Sequence, residues 1–340
     1  MGRLTAAIER LRQNRFVVLG RAGIDFTAEP AGTPQDKAER FFASLGGSAA
    51  NIAAALSRHG AQASLISVVS DDAVGRFTLN ALHKFGIGAD HVRVVAGEFR
   101  TTLAVVDMLG DDTQSVIYRN HAADFALATE DVDAVTFADF GALIVTGTAL
   151  TAEPSRSAAL GAIDRARAAA VTIVLDVDYR PYSWPSDAEA QRVYSQAAQA
   201  SDIVIGNDLE FGVMAGGEPK GEDFARQLAA GGDRLAVYKM GAKGALTFDG
   251  HEEIRAPIFK VTALKPTGAG DAFMGGLMAS LGDGRSLPDA LRRGSASAAI
   301  VVTRIGCSEA MPTLEEVDAF IRDYRDPEAQ QETPYAHSTV

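Results

Sequence analysis

One run in the last third of the chain, Lys265-Pro266-Thr267-Gly268-Ala269-Gly270-Asp271-Ala272-Phe273, follows a strand-like segment and opens a helical one. Gly268 and Gly270 remove side chains where the backbone must turn tightly. Backbone N–H groups then point outward at a helix N-terminus, which is a natural site for an anion. Asp271 gains from the helix dipole there and lies beside that anion. This arrangement fits phosphoryl transfer: the N–H groups hold the charge on the transferring group, and the carboxylate takes the proton of an attacking hydroxyl. A Gly-rich helix start capped by Asp271, with no chemistry, fits the same string.

Other runs could serve the same reaction. In Gly46-Gly47-Ser48-Ala49-Ala50-Asn51 the paired glycines let a substrate approach the backbone, and Asn51 on the first helical turn offers an amide that donates and accepts. A strand-to-helix turn with a buried capping amide would look alike. Gly20-Arg21-Ala22-Gly23-Ile24-Asp25 puts the Asp25 carboxylate just past the first strand, where it could hold a sugar diol or be a surface turn residue. Asn207-Asp208-Leu209-Glu210 is either a helix N-cap with an acidic first turn or an organiser of Mg²⁺ and phosphate through water. The glycines of Lys239-Met240-Gly241-Ala242-Lys243-Gly244 would let a nucleotide lie on the backbone, or simply close a β-hairpin. Arg119 and Arg180 are candidates to clamp an acidic substrate through paired hydrogen bonds, with salt bridges as the competing use.

The elements that must position these residues alternate between strand and helix. Strands are expected at residues 16–20, 63–69, 143–146, 172–176, 203–205 and 235–238, several of them continuous apolar runs suited to a sheet covered on both faces. Helices are expected at 49–59, 74–85, 154–170, 269–281, 286–303 and 314–324. Repeated βα units imply a doubly wound, mostly parallel α/β sheet flanked by helices. Residues 25–44 and 99–120 break the alternation and look like hairpins, the second with a turn at Gly110-Asp111-Asp112. They form a small inserted β-sheet, read as a lid with segments at about 25–45 and 99–120. The whole reads as one domain over 16–325 with a loose polar tail at 326–340.

Composition excludes other classes. Over 340 residues, acidic side chains outnumber basic ones 44 to 32, and the net charge of −12 repels nucleic acid and anionic membrane. Cys307 is the single cysteine, so neither an intrachain disulfide nor a Cys/His zinc cluster is available; it is expected to be a buried packing thiol. The first fifteen residues carry Arg3, Glu9, Arg10, Arg12 and Arg15 without an apolar run, and no uncharged stretch reaches membrane-spanning length, so a cytoplasmic protein without a leader is expected. P-loop, dinucleotide, HExxH and GxSxG signatures are absent.

Taken together, GGSAAN near the N-terminus and PTGAGDAFMGG near the C-terminus, with NDLE and KMGAKG in order between them, resemble the ribokinase (PfkB) family of sugar kinases over residues 16–324. A narrower set, GRAGID, Tyr118-Arg119, Thr146-Gly147-Thr148-Ala149-Leu150, Asp178-Tyr179-Arg180-Pro181-Tyr182-Ser183-Trp184, SDIVIG and CSEAMPT, resembles members that phosphorylate the 6-hydroxyl of 5-dehydro-2-deoxy-D-gluconate in myo-inositol catabolism. Kinases of 2-dehydro-3-deoxygluconate are the nearest alternative, followed by fructokinases and ribokinases. The resemblance implies a ribokinase-like fold, ATP and Mg²⁺, and a homodimer formed through the lid. It makes Asp271 the base and Gly268, Ala269 and Gly270 the anion hole. Asp25, Gly46, Gly47 and Asn51 become the sugar site, and Arg119 and Arg180 the acid-sugar contacts. Asn207 and Glu210 would organise Mg²⁺ and phosphate through water, and Lys239, Gly241 and Gly244 the nucleotide. Pro266 stands where many members carry an aspartate of a monovalent-cation site, so no potassium requirement is carried over. Lys239 replaces a commoner threonine, and Asp178 a commoner asparagine. A non-catalytic sensor on this fold would have no need of the Asp271 carboxylate.

Overall fold

The structure is a computed structural model that describes residues 2–106, 115–256 and 258–325. Helix α1 (Arg3–Leu11) precedes strand β1 (Arg15–Leu19); it buries Leu4, Ala7 and Leu11, which recur at helical spacing. The chain then leaves the central sheet for the hairpin β2 (Gly23–Glu29) and β3 (Arg40–Gly46). It returns through α2 (Ser48–Arg58), β4 (Gln62–Ser70), α3 (Ala73–Lys84) and β5 (Gly88–Val95). Asp72 starts α3 by accepting from the Val74 and Gly75 N–H groups, each at 2.9 Å.

A second excursion forms β6 (Thr102–Val106) and β7 (Ser115–Tyr118). Its expected turn at Gly110-Asp111-Asp112 lies outside the described residues, as does the expected loose tail at 326–340. The chain continues with α4 (Thr129–Asp133), β8 (Ala142–Thr146), α5 (Ser155–Ala168), β9 (Thr172–Asp176), α6 (Asp187–Ala200) and β10 (Ile203–Asn207). It ends with α7 (Asp208–Ala215), α8 (Gly221–Ala229), β11 (Leu235–Lys239), β12 (Ala245–Phe248), β13 (Glu253–Ala256), α9 (Ala269–Gly282), α10 (Leu287–Val302) and α11 (Leu314–Asp323).

Among the described residues the larger sheet has nine strands in the order β13-β12-β11-β10-β9-β8-β1-β4-β5. Strands β5 through β11 in that row run parallel, and β12 and β13 extend the edge antiparallel. Alternate side chains feed two cores. Phe16 and Val18 join the layer holding α2 and α9, whereas Val17 and Leu19 join the layer holding α5 and α6. The expected doubly wound sheet is therefore what the chain forms. The strand order reverses at β1: the chain runs outward from it through β4 to β5, then returns to place β8 on its other side, which opens a crevice beyond the strand C-termini.

The smaller sheet has the order β3-β2-β6-β7. Its register aligns Asp25 with Ser44 and Ala104, and Ala104 with Ile117, on one face. Phe26, Ala43, Val105 and Val116 align on the other, as do Ala28 and Phe41. One face thus carries the carboxylate and the other is apolar.

Candidate active site

The C-terminal ends of β9, β10 and β11, the starts of α2 and α9, and the Asp25 face of the small sheet enclose a cavity of about 510 Å³. Asp271, Gly268, Gly270, Asp25, Gly47, Asn51, Arg180, Asn207, Glu210 and Lys239 all reach its wall, so residues far apart in sequence meet in one place.

Asp271 lies in the first turn of α9, whose N-cap is Gly268 in the left-handed region at φ 84°. That conformation suits glycine and turns the chain sharply into the helix. Among the described residues, no backbone carbonyl receives the N–H of Gly268, Ala269 or Gly270. These are the orphan donors of a helix start, and they are available to an anion. A Cβ on Gly270 would stand 3.3 Å from Lys239 Nζ, so a side chain there would crowd the amine that faces the loop.

The Asp271 carboxylate is oriented from the opposite element. Asn51 Nδ2 donates to Asp271 Oδ2 at 2.9 Å, and Ser308 Oγ donates to Asn51 Oδ1 at 2.7 Å. The hydroxyl thereby selects which end of the amide faces the carboxylate. Burial pushes the Asp271 pKa up to about 7, and the Asp178 charge adds to the rise; the Asn51 hydrogen bond, Arg180 and Lys239 hold it back. A carboxyl titrating there is a base matched to neutral pH. Ser308→Ala is expected to lower kcat about 3–10-fold, the value of one net hydrogen bond, with little change in KM for MgATP. Steady-state kinetics check this, and unchanged kcat would release Ser308 from the chain.

Around this pair sits a cluster of charge. Burial holds Asp176 well above the usual carboxylate range against the pull of Lys239, and the Asp178, Glu210 and Asp271 charges push it further. Burial likewise raises Glu210, with Lys239 and the Asn207 N–H opposing. Burial also disfavours the Asp178 charge, but Arg180, at 2.7 Å, together with the Ser48 hydroxyl, Arg21 and Arg119, outweighs it and leaves the group below its ordinary value. Glu210 and Asn207 form a reciprocal cap: Asn207 N donates to Glu210 Oε2 at 2.6 Å, and Glu210 N to Asn207 Oδ1 at 2.9 Å. Tyr179 N donates to the other Glu210 oxygen at 3.3 Å. The two readings of this run coincide, because the capping residues also line the cavity.

Among the described residues no group of three or more His, Cys, Asp or Glu side chains forms a metal cage. Magnesium needs none, since it keeps several waters and takes its other ligands from one or two carboxylates and a nucleotide's phosphates. Glu210 and Asp176, beside the Lys239 amine, fit that mode. The uncapped N–H groups and Lys239 fit the phosphates.

The sugar-side candidates separate into two groups. Asp25 and Gly47 are on the wall, and Gly46 lies directly beneath Asp25. Arg119 is not on the wall. Its guanidinium pairs with Asp124, donates to the Thr148 carbonyl at 3.0 Å, and stacks 4.0 Å from the Phe125 ring centroid. Gly241 and Gly244 also stand off the wall, in the turn that joins β11 to β12. Ala269 is in the first turn of α9 without lining the cavity.

Other contributors were not visible as candidates. Arg21 and Asp176 line the cavity. Cys307 is buried, as expected, and also reaches the wall beside Asp25; burial and that carboxylate push its thiol up to about 12. Lys265 is 2 % exposed and donates to the Thr267 carbonyl at the entrance of the Gly268–Gly270 turn. Ser308 lies in the quoted CSEAMPT run, yet only its position in space shows that it orients Asn51.

A family model described as pfkB family carbohydrate kinase matches residues 13–314. A 5-dehydro-2-deoxygluconokinase of Photobacterium profundum is 41% identical over 321 residues, which cover 93% of this chain and 97% of the relative. The enzyme of the same name from Bacillus subtilis is 37% identical over 311 residues, covering 90% and 95%. Among solved structures, a PfkB protein from Polaromonas sp. JS666 is 27% identical at a TM-score of 0.78, covering 90% of this chain and 99% of that one. A putative ribokinase II from E. coli, in complex with ATP and Mg²⁺, has the same fold at a TM-score of 0.82 and 23% identity, covering 91% and 99%.

Proposed function

The chain belongs to the pfkB family of carbohydrate kinases, and we propose that it transfers the γ-phosphoryl group of ATP to the 6-hydroxyl of the sugar acid 5-dehydro-2-deoxy-D-gluconate. The observation that carries this reading is Asp271, half-buried, held by Asn51 and placed beside uncapped N–H groups at the start of α9. Relatives that cover nearly the whole chain and bear the name of that activity support the substrate.

The chemistry follows from the side chains. Asp271 accepts the hydroxyl proton as the sugar oxygen forms its bond to the γ-phosphorus, and the bond from that phosphorus to the bridging oxygen of ADP breaks. The Gly268–Gly270 N–H groups and Lys239 stabilise the charge on the transferring group. Bound Mg²⁺ would neutralise charge between the phosphates, with Glu210 and Asp176 holding its waters. The small sheet, with Ala104, Val106 and Ile117 facing the cavity, keeps water from the phosphoryl group and acts as a lid.

The test is ADP release with MgATP and a panel of 5-dehydro-2-deoxygluconate, 2-dehydro-3-deoxygluconate, fructose, ribose and adenosine. The expected result is a preference for the first by tenfold or more, equivalent to about 1.4 kcal/mol of transition-state discrimination. A preference for a neutral sugar, or no acceptor-dependent ADP, would overturn the assignment.

A second copy of the chain covers the outer face of the small sheet in this reading, and the protein works in the cytoplasm. Among the described residues no helix is long and apolar enough to cross a membrane. Phe41, Val116 and Tyr118 are exposed on that outer face beside Phe26 and Val105, and an apolar patch of this kind is an interaction surface. Val116→Asp is expected to convert dimer to monomer in light scattering at micromolar concentration. A wild-type protein that is monomeric there removes the dimer.

A further inference from the structure

Arg21 stands in the link between the end of β1 and the start of β2, where the chain leaves the central sheet for the small one. Its backbone is fixed. The Arg21 carbonyl accepts from Ala50 N at 3.4 Å, and Gly47, at φ 93°, packs so closely that a Cβ would come within 2.4 Å of that oxygen. The start of α2 is thus locked to Arg21, and the side chain projects from a rigid corner.

That side chain is 8% exposed and lines the cavity. Its Nε is buried with no hydrogen-bond partner, and among the described residues its guanidinium makes no ion pair. The neighbouring arginines differ. Arg119 is fully engaged by Asp124, Thr148 and Phe125, and Arg180 by Asp178 and the Tyr179 carbonyl. Asp25 and Asp178 act on Arg21 through their fields without touching it. A buried cation lacking a contacting anion is costly unless a ligand supplies one.

The geometry points to Arg21, rather than Arg119, as the residue that binds the carboxylate of the sugar acid, and thus as the determinant of acid over neutral acceptors. The inference rests on the acid-sugar kinase reading given above. Planar guanidinium matches carboxylate through two parallel hydrogen bonds, which a phosphate at the far group does not need, because the Gly268–Gly270 loop and Lys239 already serve it. Gly47 and Ser48 also line the cavity at the start of α2, which has no side-chain cap, so the positive end of that helix adds to the attraction. Arg180, already on Asp178, keeps that neighbour charged and in place. Arg119 positions the Asp124 loop from behind.

The experiment compares wild type with Arg21→Gln, Arg21→Lys and Arg119→Gln. It measures kcat/KM for 5-dehydro-2-deoxygluconate and for fructose, KM for MgATP, and the melting temperature of each protein. Arg21→Gln is expected to raise KM for the acid sugar by about 10²-fold, the scale of one charged hydrogen-bonded pair, while KM for MgATP stays within twofold. The ratio of acid to neutral kcat/KM is expected to fall by a similar factor. Arg21→Lys, keeping the charge but not the fork, is expected to recover part of it. Arg119→Gln is expected to lower the melting temperature more than the ratio. An unchanged ratio in folded Arg21→Gln overturns the assignment of Arg21 while the kinase reading stands. A rise confined to KM for MgATP overturns it too, and places the phosphate there. Should Arg21→Gln not fold, the lysine variant decides: a wild-type acid-to-neutral ratio in it overturns the assignment. A wild type that does not phosphorylate the acid sugar overturns the acid-sugar reading itself.

Discussion

Replacing Asp271 by asparagine is expected to lower kcat by about 10²–10⁴-fold through loss of the base, and also to make the folded protein more stable at pH 8. Both effects follow from one fact. The carboxyl is desolvated and faces the Asp178 charge, and its pKa stands at about 7 instead of the ordinary 3.8. In the wild type, kcat/KM should therefore rise with pH and level off above about 7, where the group of the free protein is ionised. The stability effect runs the other way. A group whose folded pKa is raised contributes stability that is fully present below the unfolded value and lost as pH rises through the folded one. Above pH about 7 the wild type carries a desolvated charge costing at most ~4 kcal/mol, from the size of that shift. Asparagine carries none and can still accept from Asn51. Thermal melts at pH 4 and pH 8, with kinetics on the same samples, check the pair of effects. The gap in melting temperature should open between those values. Wild-type kcat in the folded variant would remove Asp271 from the reaction, and a gap independent of pH would remove its raised pKa.

Much of this arrangement is legible in the chain itself, because the apolar runs of β8, β9 and β11 and the Gly-rich helix starts state their roles locally. Parallel strands buried on both faces leave little ambiguity between strand and loop. Other elements conceal themselves for physical reasons. β5 is an edge strand in which no residue is fully buried, so its sequence lacks an apolar stripe. α1 shows its buried face only as Leu4, Ala7 and Leu11 among charged neighbours. Within the site, Asp271, Asn51 and Asp25 announce themselves by neighbouring glycines. Arg21 and Arg119 carry the same guanidinium, and spacing cannot say which one finds a carboxylate inside the protein. Asp124 decides that by pairing with Arg119. Ser308 meets Asn51 across 257 positions, a contact that only the packed fold creates.

Gly46→Ala is expected to raise KM for the sugar about 10–10²-fold, the loss of a charged hydrogen bond, although Gly46 does not line the cavity. At this end of β3 the backbone needs no special φ, so the alanine itself introduces no strain. The obstacle is space. A Cβ at Gly46 would stand 2.0 Å from Asp25 Oδ1 and 2.3 Å from its Cγ, which is the volume the carboxylate occupies. Asp25 is already held against a desolvation that raises its pKa, with Arg21, Cys307 and Lys265 favouring the charged form. An added methyl forces it out of that nest, and with it the hydrogen bonds it would offer a sugar diol in the proposed reaction. KM for MgATP should not follow, because Lys239 and the α9 loop lie on other elements. A double-mutant cycle separates this account from a general loosening of the small sheet. Asp25→Ala empties the space that the new methyl needs, so adding Gly46→Ala to it should cost almost nothing, and the two effects should be strongly non-additive. Additive losses in KM would mean that Gly46 acts through the backbone of β3 and not through the carboxylate above it.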